Sequence, residues 1–202
     1  SDYSFVNGAL EKHYGLSVVD FARNLSNKDR SNALSQGALG IYTPDEFIRV
    51  KFPPEAKRGG LLGHGSILTL SANGVEPSPI ERGVWVLADL LGTPPPPPPQ
   101  AVPPLTPDLN GAVTVREMLE KHRSDPACLV CHRSMYPLGF ALEAYDPIGR
   151  FRTIYSKKLF VMTHGNYLGK DFADITELKQ ILSSDIRPFA RNLIIRIAEY
   201  AK

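Results

Sequence analysis

Cysteine is nearly absent from this sequence: 202 residues hold two, and both fall within one pentapeptide. A disulfide-stapled scaffold needs several well-separated pairs, so that class is excluded. Long apolar runs are missing too; the longest, such as Gly83–Leu91, have the size of a core helix and not of a bilayer span. An excess of either charge is also lacking, since 23 basic residues meet 21 acidic ones for a formal net charge of +2. That balance argues against a nucleic-acid protein. The first residues, Ser1-Asp2-Tyr3-Ser4-Phe5, lack the basic-then-apolar pattern of a signal peptide. The expectation is a mature product or a piece of a longer chain. A hydrophobic share of 43% and a charged share of 22% are ordinary for a globular protein able to bury a core.

What is abundant is proline. Pro94–Pro99 is an unbroken run, and Pro103-Pro104 follows. Such a segment is restricted to polyproline II, and Pro94–Pro104 would cover roughly 30 Å at ~3.1 Å per residue. It reads as a stiff spacer wrapped on the surface; a ligand for a proline-binding domain is the alternative.

Hydrophobic spacing predicts helices over Tyr3–Tyr14, Pro79–Leu91, Val113–Arg123, Asp174–Leu182 and Arg187–Ala201. Ser78 is a candidate N-cap, Pro79 a first-turn proline and Gly92 a stop. Asp125 and Pro126 are suited to open a further helix. The last helix carries the clearest apolar stripe: Phe189, Leu193, Ile194, Ile197 and Tyr200 or Ala201. Phe47–Phe52 alternates like a short strand, and Leu61–Ala72 fits either helix or strand. Residues 17–43 read as a loop region. The fold expected is mainly α: short helices and long loops, with the polyproline segment on its surface. Three regions are expected. Residues 1–15 would be a helix from the end of a preceding domain. Residues 16–112 would be loop-rich around helix 79–91. Residues 113–202 would form the domain that holds both cysteines, with its C-terminal helix.

The two cysteines stand in Cys128-Leu129-Val130-Cys131-His132. On a helix, positions three and four apart share a face, so both thiols and the imidazole project together. Two thiols can form thioethers with the two vinyl groups on one porphyrin edge, and the adjacent imidazole can reach the iron from the same side. A thioredoxin-like pair would need a preceding strand. A zinc site would need two more ligands, and there is no third cysteine. The spacing therefore points to one covalent haem c, with His132 as the proximal ligand, and makes residues 113–202 a mono-haem cytochrome c domain, a c-type haem domain of short helices with long loops.

The surroundings of this motif carry a resemblance. Arg58–Leu70 (RGGLLGHGSILTL), Ser78–Leu91 with the following Gly92-Thr93 and prolines, and His122–Arg152 (HRSDPACLVCHRSMYPLGFALEAYDPIGRFR) resemble the planctomycete-type cytochrome c family. Its members are large proteins built from several domains of unknown function. The resemblance covers most of Tyr3–Tyr14 and of Phe47–Lys202. Tyr3–Tyr14 resembles the end of the domain before the cytochrome, and the C-terminal helix resembles the family's terminal domain. It implies haem binding and a periplasmic or other extracytoplasmic location. Glu76-Pro77 departs from the usual Arg-Thr pair there, and Ser17–Pro44 matches nothing in the family.

The distal ligand stays open. His64 sits in an apolar Gly-rich segment, where the family often has His or Gln. Met162 lies downstream of the motif, as distal methionines do in small cytochromes c. His122 and His164 are further candidates, Met135 reads as packing, and an unfilled position is the remaining choice. His64 is preferred because flanking glycines would let it approach the haem face closely. Arg82, Arg150 and Arg152 are candidate propionate partners, and Tyr136, Phe140, Leu142 and Tyr145 should pack near the macrocycle. The function expected is electron transfer within a larger assembly or longer polypeptide. Redox proteins or other cytochrome subunits would be the partners, and any membrane association would run through a complex. A peroxidase- or oxidase-like haem enzyme with an open distal site, or a structural haem subunit, are the alternatives.

Overall fold

The structure is a computed structural model that describes residues 3–16, 47–52, 54–97, 114–122, 126–155 and 159–202; for 48, 118, 120–122 and 126–131 it describes the backbone alone. It is mainly α, with short helices and, among the described residues, two small two-stranded antiparallel sheets. Its contacts divide it into two units. One is Ser1–Leu70 with Tyr145–Phe151; the other is Ser71–Ala144 with Arg152–Lys202.

In the first unit, the segment read as one helix over Tyr3–Tyr14 is a strand followed by a helix. Strand β1 (Tyr3–Val6) pairs antiparallel with β2 (Ile48–Lys51), in the register Tyr3 to Lys51 and Val6 to Ile48. Asn7 then accepts a hydrogen bond from the Leu10 amide and opens α1 (Gly8–Tyr14). The helix starts five residues later than helical spacing suggests, because Tyr-Ser-Phe-Val prefers a ladder when a partner strand is available. Val6, Val50 and Phe52 form the core here, with Leu10, Tyr14, Leu16 and Ala56 packed on it. The ambiguous Leu61–Ala72 stretch resolves into a 3₁₀ turn, Leu61–Gly63, and helix α2 (Gly65–Leu70).

Buried Arg58 ties this unit together. It donates to the Gly63 carbonyl at 3.1 Å and the Gly149 carbonyl at 2.6 Å, and its guanidinium lies 4.1 Å from the Tyr14 ring centre. A cation held this way exchanges water for two carbonyls and a π face, which offsets part of its desolvation.

The second unit is built on two helices. Helix α3 (Pro79–Trp85) starts at Ser78, whose hydroxyl accepts from the Glu81 amide. It widens into a π turn over Val86–Leu90 and stops at Gly92, where φ is 68°. Helix α4 is Val115–His122 and helix α5 is Pro126–Ala141. Helices α3 and α5 cross through glycines. A Cβ on Gly83 would overlap the Met135 carbonyl, and one on Gly139 would overlap the Pro79 carbonyl. Val86, Leu87, Leu138 and Leu142 are buried in this unit.

Strands β3 (Gly165–Tyr167) and β4 (Lys170–Phe172) form a hairpin that the sequence reading missed. Leu168 and Gly169 both have positive φ, 52° and 79°. That is the two-residue turn that suits strand twist, but leucine in the first position conceals the usual Asn-Gly signal. Helix α6 (Ile175–Ser184) is capped by Asp174, which accepts from the Thr176 and Glu177 amides.

Helix α7 (Arg187–Tyr200) follows the predicted span, but its stripe does not form a core. Leu193, Ile194, Ile197 and Tyr200 are all exposed, and the buried residue is Asn192. Of the polyproline segment, Pro94–Pro97 adopt neither helix nor strand, and the remainder lies outside the described residues.

Candidate functional site

Cys128, Cys131 and His132 all lie on α5, within a little over one turn. The backbone therefore has the form that the spacing requires, with both cysteines and the histidine on one helical face. The cysteine side chains lie outside the description. The His132 ring is half-buried and meets Tyr136 edge-on, with centroids 4.4 Å apart and planes at 81°. Tyr136 in turn lies 5.6 Å from Phe140. Spacing of four along the helix makes His132, Tyr136 and Phe140 one aromatic column in line with Cys128. Arg116 of α4 closes its end, 4.2 Å from the Phe140 ring centre. Tyr136, Phe140 and Leu142 are buried in the second unit and Tyr145 in the first.

This donor set fits a covalently held haem: two thiols one turn apart and an imidazole at the next position on a rigid helix. Among the described residues no group of three or more His, Cys, Asp or Glu is placed to hold a metal ion.

The sequence candidates divide between the units. Arg82 and Arg152 are brought together around a residue the sequence reading did not single out, Glu143. Arg82 is 0% exposed and donates to the Leu142 carbonyl at 2.8 Å. Arg152 bridges to Glu143 Oε1 at 3.3 Å, and Glu143 is 1% exposed. The visible signal was a lone carboxylate in the apolar run Phe140–Ala144. Arg150 belongs to the first unit, where it is exposed and its amide donates to Asp146.

Met162 and His164 lie in the second unit, as His132 does. Arg116 holds their segment by donating to the Met162 and His164 carbonyls. Met135 is buried beside Gly83, as a packing residue. The His122 side chain lies outside the described residues. His64 lies in the first unit and is half-buried, with Nε2 3.5 Å from Ser4 Oγ. The glycines beside it serve packing and not backbone freedom. A Cβ on Gly63 would meet the Arg58 backbone at 3.2 Å, and Gly65 donates its amide to the Tyr14 hydroxyl.

Burial pushes the Glu143 carboxyl up from its ordinary 4.5 to about 7, against the opposing pull of Arg82, Arg152 and a hydrogen bond with Tyr155. A carboxyl whose folded pKa lies above its unfolded one stabilises the protein below the unfolded value. That stability is lost as pH rises through the folded value. Stability should therefore fall by about 3 kcal/mol between pH 4.5 and 7 through this group, at ~1.4 kcal/mol per pKa unit. Glu143→Gln should flatten that part of a chemical-denaturation pH profile; an unchanged slope would mean that Glu143 does not titrate there.

Residues 58–155 match the family model described as "PSCyt3: Protein of unknown function (DUF1588)", and the match includes Cys128–His132. The name points to a cytochrome-like domain. All three sequence blocks that carry the resemblance fall inside the matched residues. No curated protein and no solved structure matches the chain.

Proposed function

We propose that this protein is a mono-haem c-type cytochrome that carries haem c on Cys128, Cys131 and His132. It acts in electron transfer outside the cytoplasm, as part of a larger assembly or a longer polypeptide, with redox proteins or other cytochrome subunits as partners. The observation that carries the reading is the run of both cysteines and the histidine along one turn of α5. The cytochrome-like family name supports it. A haem c held there supplies a one-electron iron couple. The protein's part is to orient His132 against Tyr136, to surround that face with apolar side chains, and to set exposure, which tunes the potential.

The propionate role proposed for the arginines changes in weight. Arg82 and Arg152 are engaged with Glu143, so for the propionates we retain Arg150, whose side chain is exposed.

For the sixth iron position we retain His64, with Met162 as the alternative. Visible and near-infrared spectra of both oxidation states, with and without carbon monoxide, test the function and the ligand together. The expected result is a low-spin haem c that carbon monoxide does not bind. His64→Ala should turn it high-spin, with Met162→Ala leaving the spectrum unchanged. A methionine–iron charge-transfer band in the unaltered protein would transfer the assignment to Met162. A high-spin protein that binds carbon monoxide would favour a haem enzyme over a carrier.

A further inference from the structure

Helix α7 docks on the rest of its unit by its polar side. Asn192 donates to the Asp89 carbonyl at 2.6 Å, and Arg196 pairs with the Asp89 carboxylate at 3.1 Å. A Cβ on Gly92 would sit 2.9 Å from the Asn192 amide oxygen, so the helix approaches the turn after α3 closely. The consequence is an inverted amphipathic helix. At 100° per residue, Leu193, Ile194, Ile197 and Tyr200 fall on one stripe, continued by Ile186 at the start of the helix. That stripe looks outward: Ile186 is 55% exposed, Ile194 68%, Ile197 59% and Tyr200 94%. Scattered exposed apolar residues are normal; a continuous stripe of five along one helix is not.

Cations flank the stripe. Arg187 and Arg191 lie along one edge and Lys202 follows the helix, while Arg196, on the other edge, is engaged with Asp89 on the docked side. Asp185 pairs with Arg187 at 2.7 Å, and Asp89 and Glu199 share Arg196 at 3.1 Å and 3.3 Å, so the charge offered to an outside surface rests on Arg191 and Lys202.

We propose that α7 is an interfacial helix that seats this protein on an anionic lipid surface, with the apolar stripe in the acyl boundary and Arg191 and Lys202 among the headgroups. An apolar stripe bordered by arginines, with an aromatic residue that has a polar tip near one end, is the pattern of helices that lie in the plane of a bilayer surface. No helix among the described residues is long and apolar enough to cross a membrane. A second copy of the chain fits the stripe less well. A single helix stripe of about 20 Å by 10 Å offers roughly 200 Å² per copy, well below the ~800 Å² per partner of a stable interface. Pairing would also bring two sets of arginines together.

The test is co-sedimentation of the full chain with vesicles of phosphatidylcholine, with and without phosphatidylglycerol. The expected result is binding at least about tenfold stronger to the phosphatidylglycerol vesicles, weakened when salt shortens the screening length at about 0.5 M. Ile194→Glu with Ile197→Glu should remove the binding while leaving the melting temperature unchanged, since both side chains are exposed. Arg191→Glu should weaken it. Three results would each overturn the proposal: no binding to either vesicle, equal binding to both, or a concentration-dependent dimer that the Ile194→Glu, Ile197→Glu variant abolishes. The last would assign the stripe to a second copy.

Discussion

Replacement of Cys128 and Cys131 together by alanine should reduce covalent haem from one per chain to none, the largest change that any substitution here should produce. Haem should then leave the polypeptide completely in acid acetone, whereas the unaltered protein should keep it through the same extraction. The reason lies in the helix: α5 runs from Pro126 to Ala141 without a break, so residues 128 and 131 stay one turn apart whatever surrounds them. Either cysteine alone could still form one thioether, and each single variant should retain part of the haem with an altered spectrum. His132→Ala separates attachment from ligation, because it leaves both thiols and removes the imidazole; the haem should remain covalent and become high-spin. Haem that extracts freely from the unaltered protein would refute the attachment, and with it the electron-transfer reading.

The features legible in the sequence were those fixed by short-range chemistry. Ser78, Asp174, Pro79 and Gly92 act through neighbours two to four residues away, so the ends of their helices follow from local rules. The helical state of Cys128–His132 was equally local. Features set by distant partners were not legible. Tyr3–Val6 carries apolar residues at positions compatible with a helix, and only pairing with Ile48–Lys51 makes it a strand. The stripe of α7 was legible as a pattern, but its exposure was not, because periodicity identifies a face and not what covers it. Asn192 and Asp89, which decide how the helix docks, are 103 positions apart. In the site, Arg82 and Arg152 were recognisable as arginines in need of an anion. That the anion is Glu143, and not a group outside the chain, depends on folding two distant segments onto the end of α5.

Gly139→Ala should destabilise the protein by about 3 kcal/mol, near the upper end of the cost of overpacking, and lower its melting temperature by about 10 °C for a chain of this length. Two effects compete. Alanine is the better helix former by about 1 kcal/mol in a helix interior, so propensity alone would make the variant more stable. Against it, the added methyl would overlap the Pro79 carbonyl oxygen at the first turn of α3. That atom belongs to a rigid backbone and not to the end of a flexible side chain, so the two helices must move apart. Separation also loosens the dispersion contacts around the crossing, where Val86, Leu138 and Leu142 are buried. Gly83→Ala makes the reciprocal collision with the Met135 carbonyl and should cost a similar amount. The double variant should lose less than the two singles added together, because helices already separated by one methyl have made part of the room for the other. Thermal or denaturant melts of the two singles and the double measure this directly. A stabilised Gly139→Ala would show that propensity outweighs the collision, and strictly additive losses would show that the two glycines do not share one crossing.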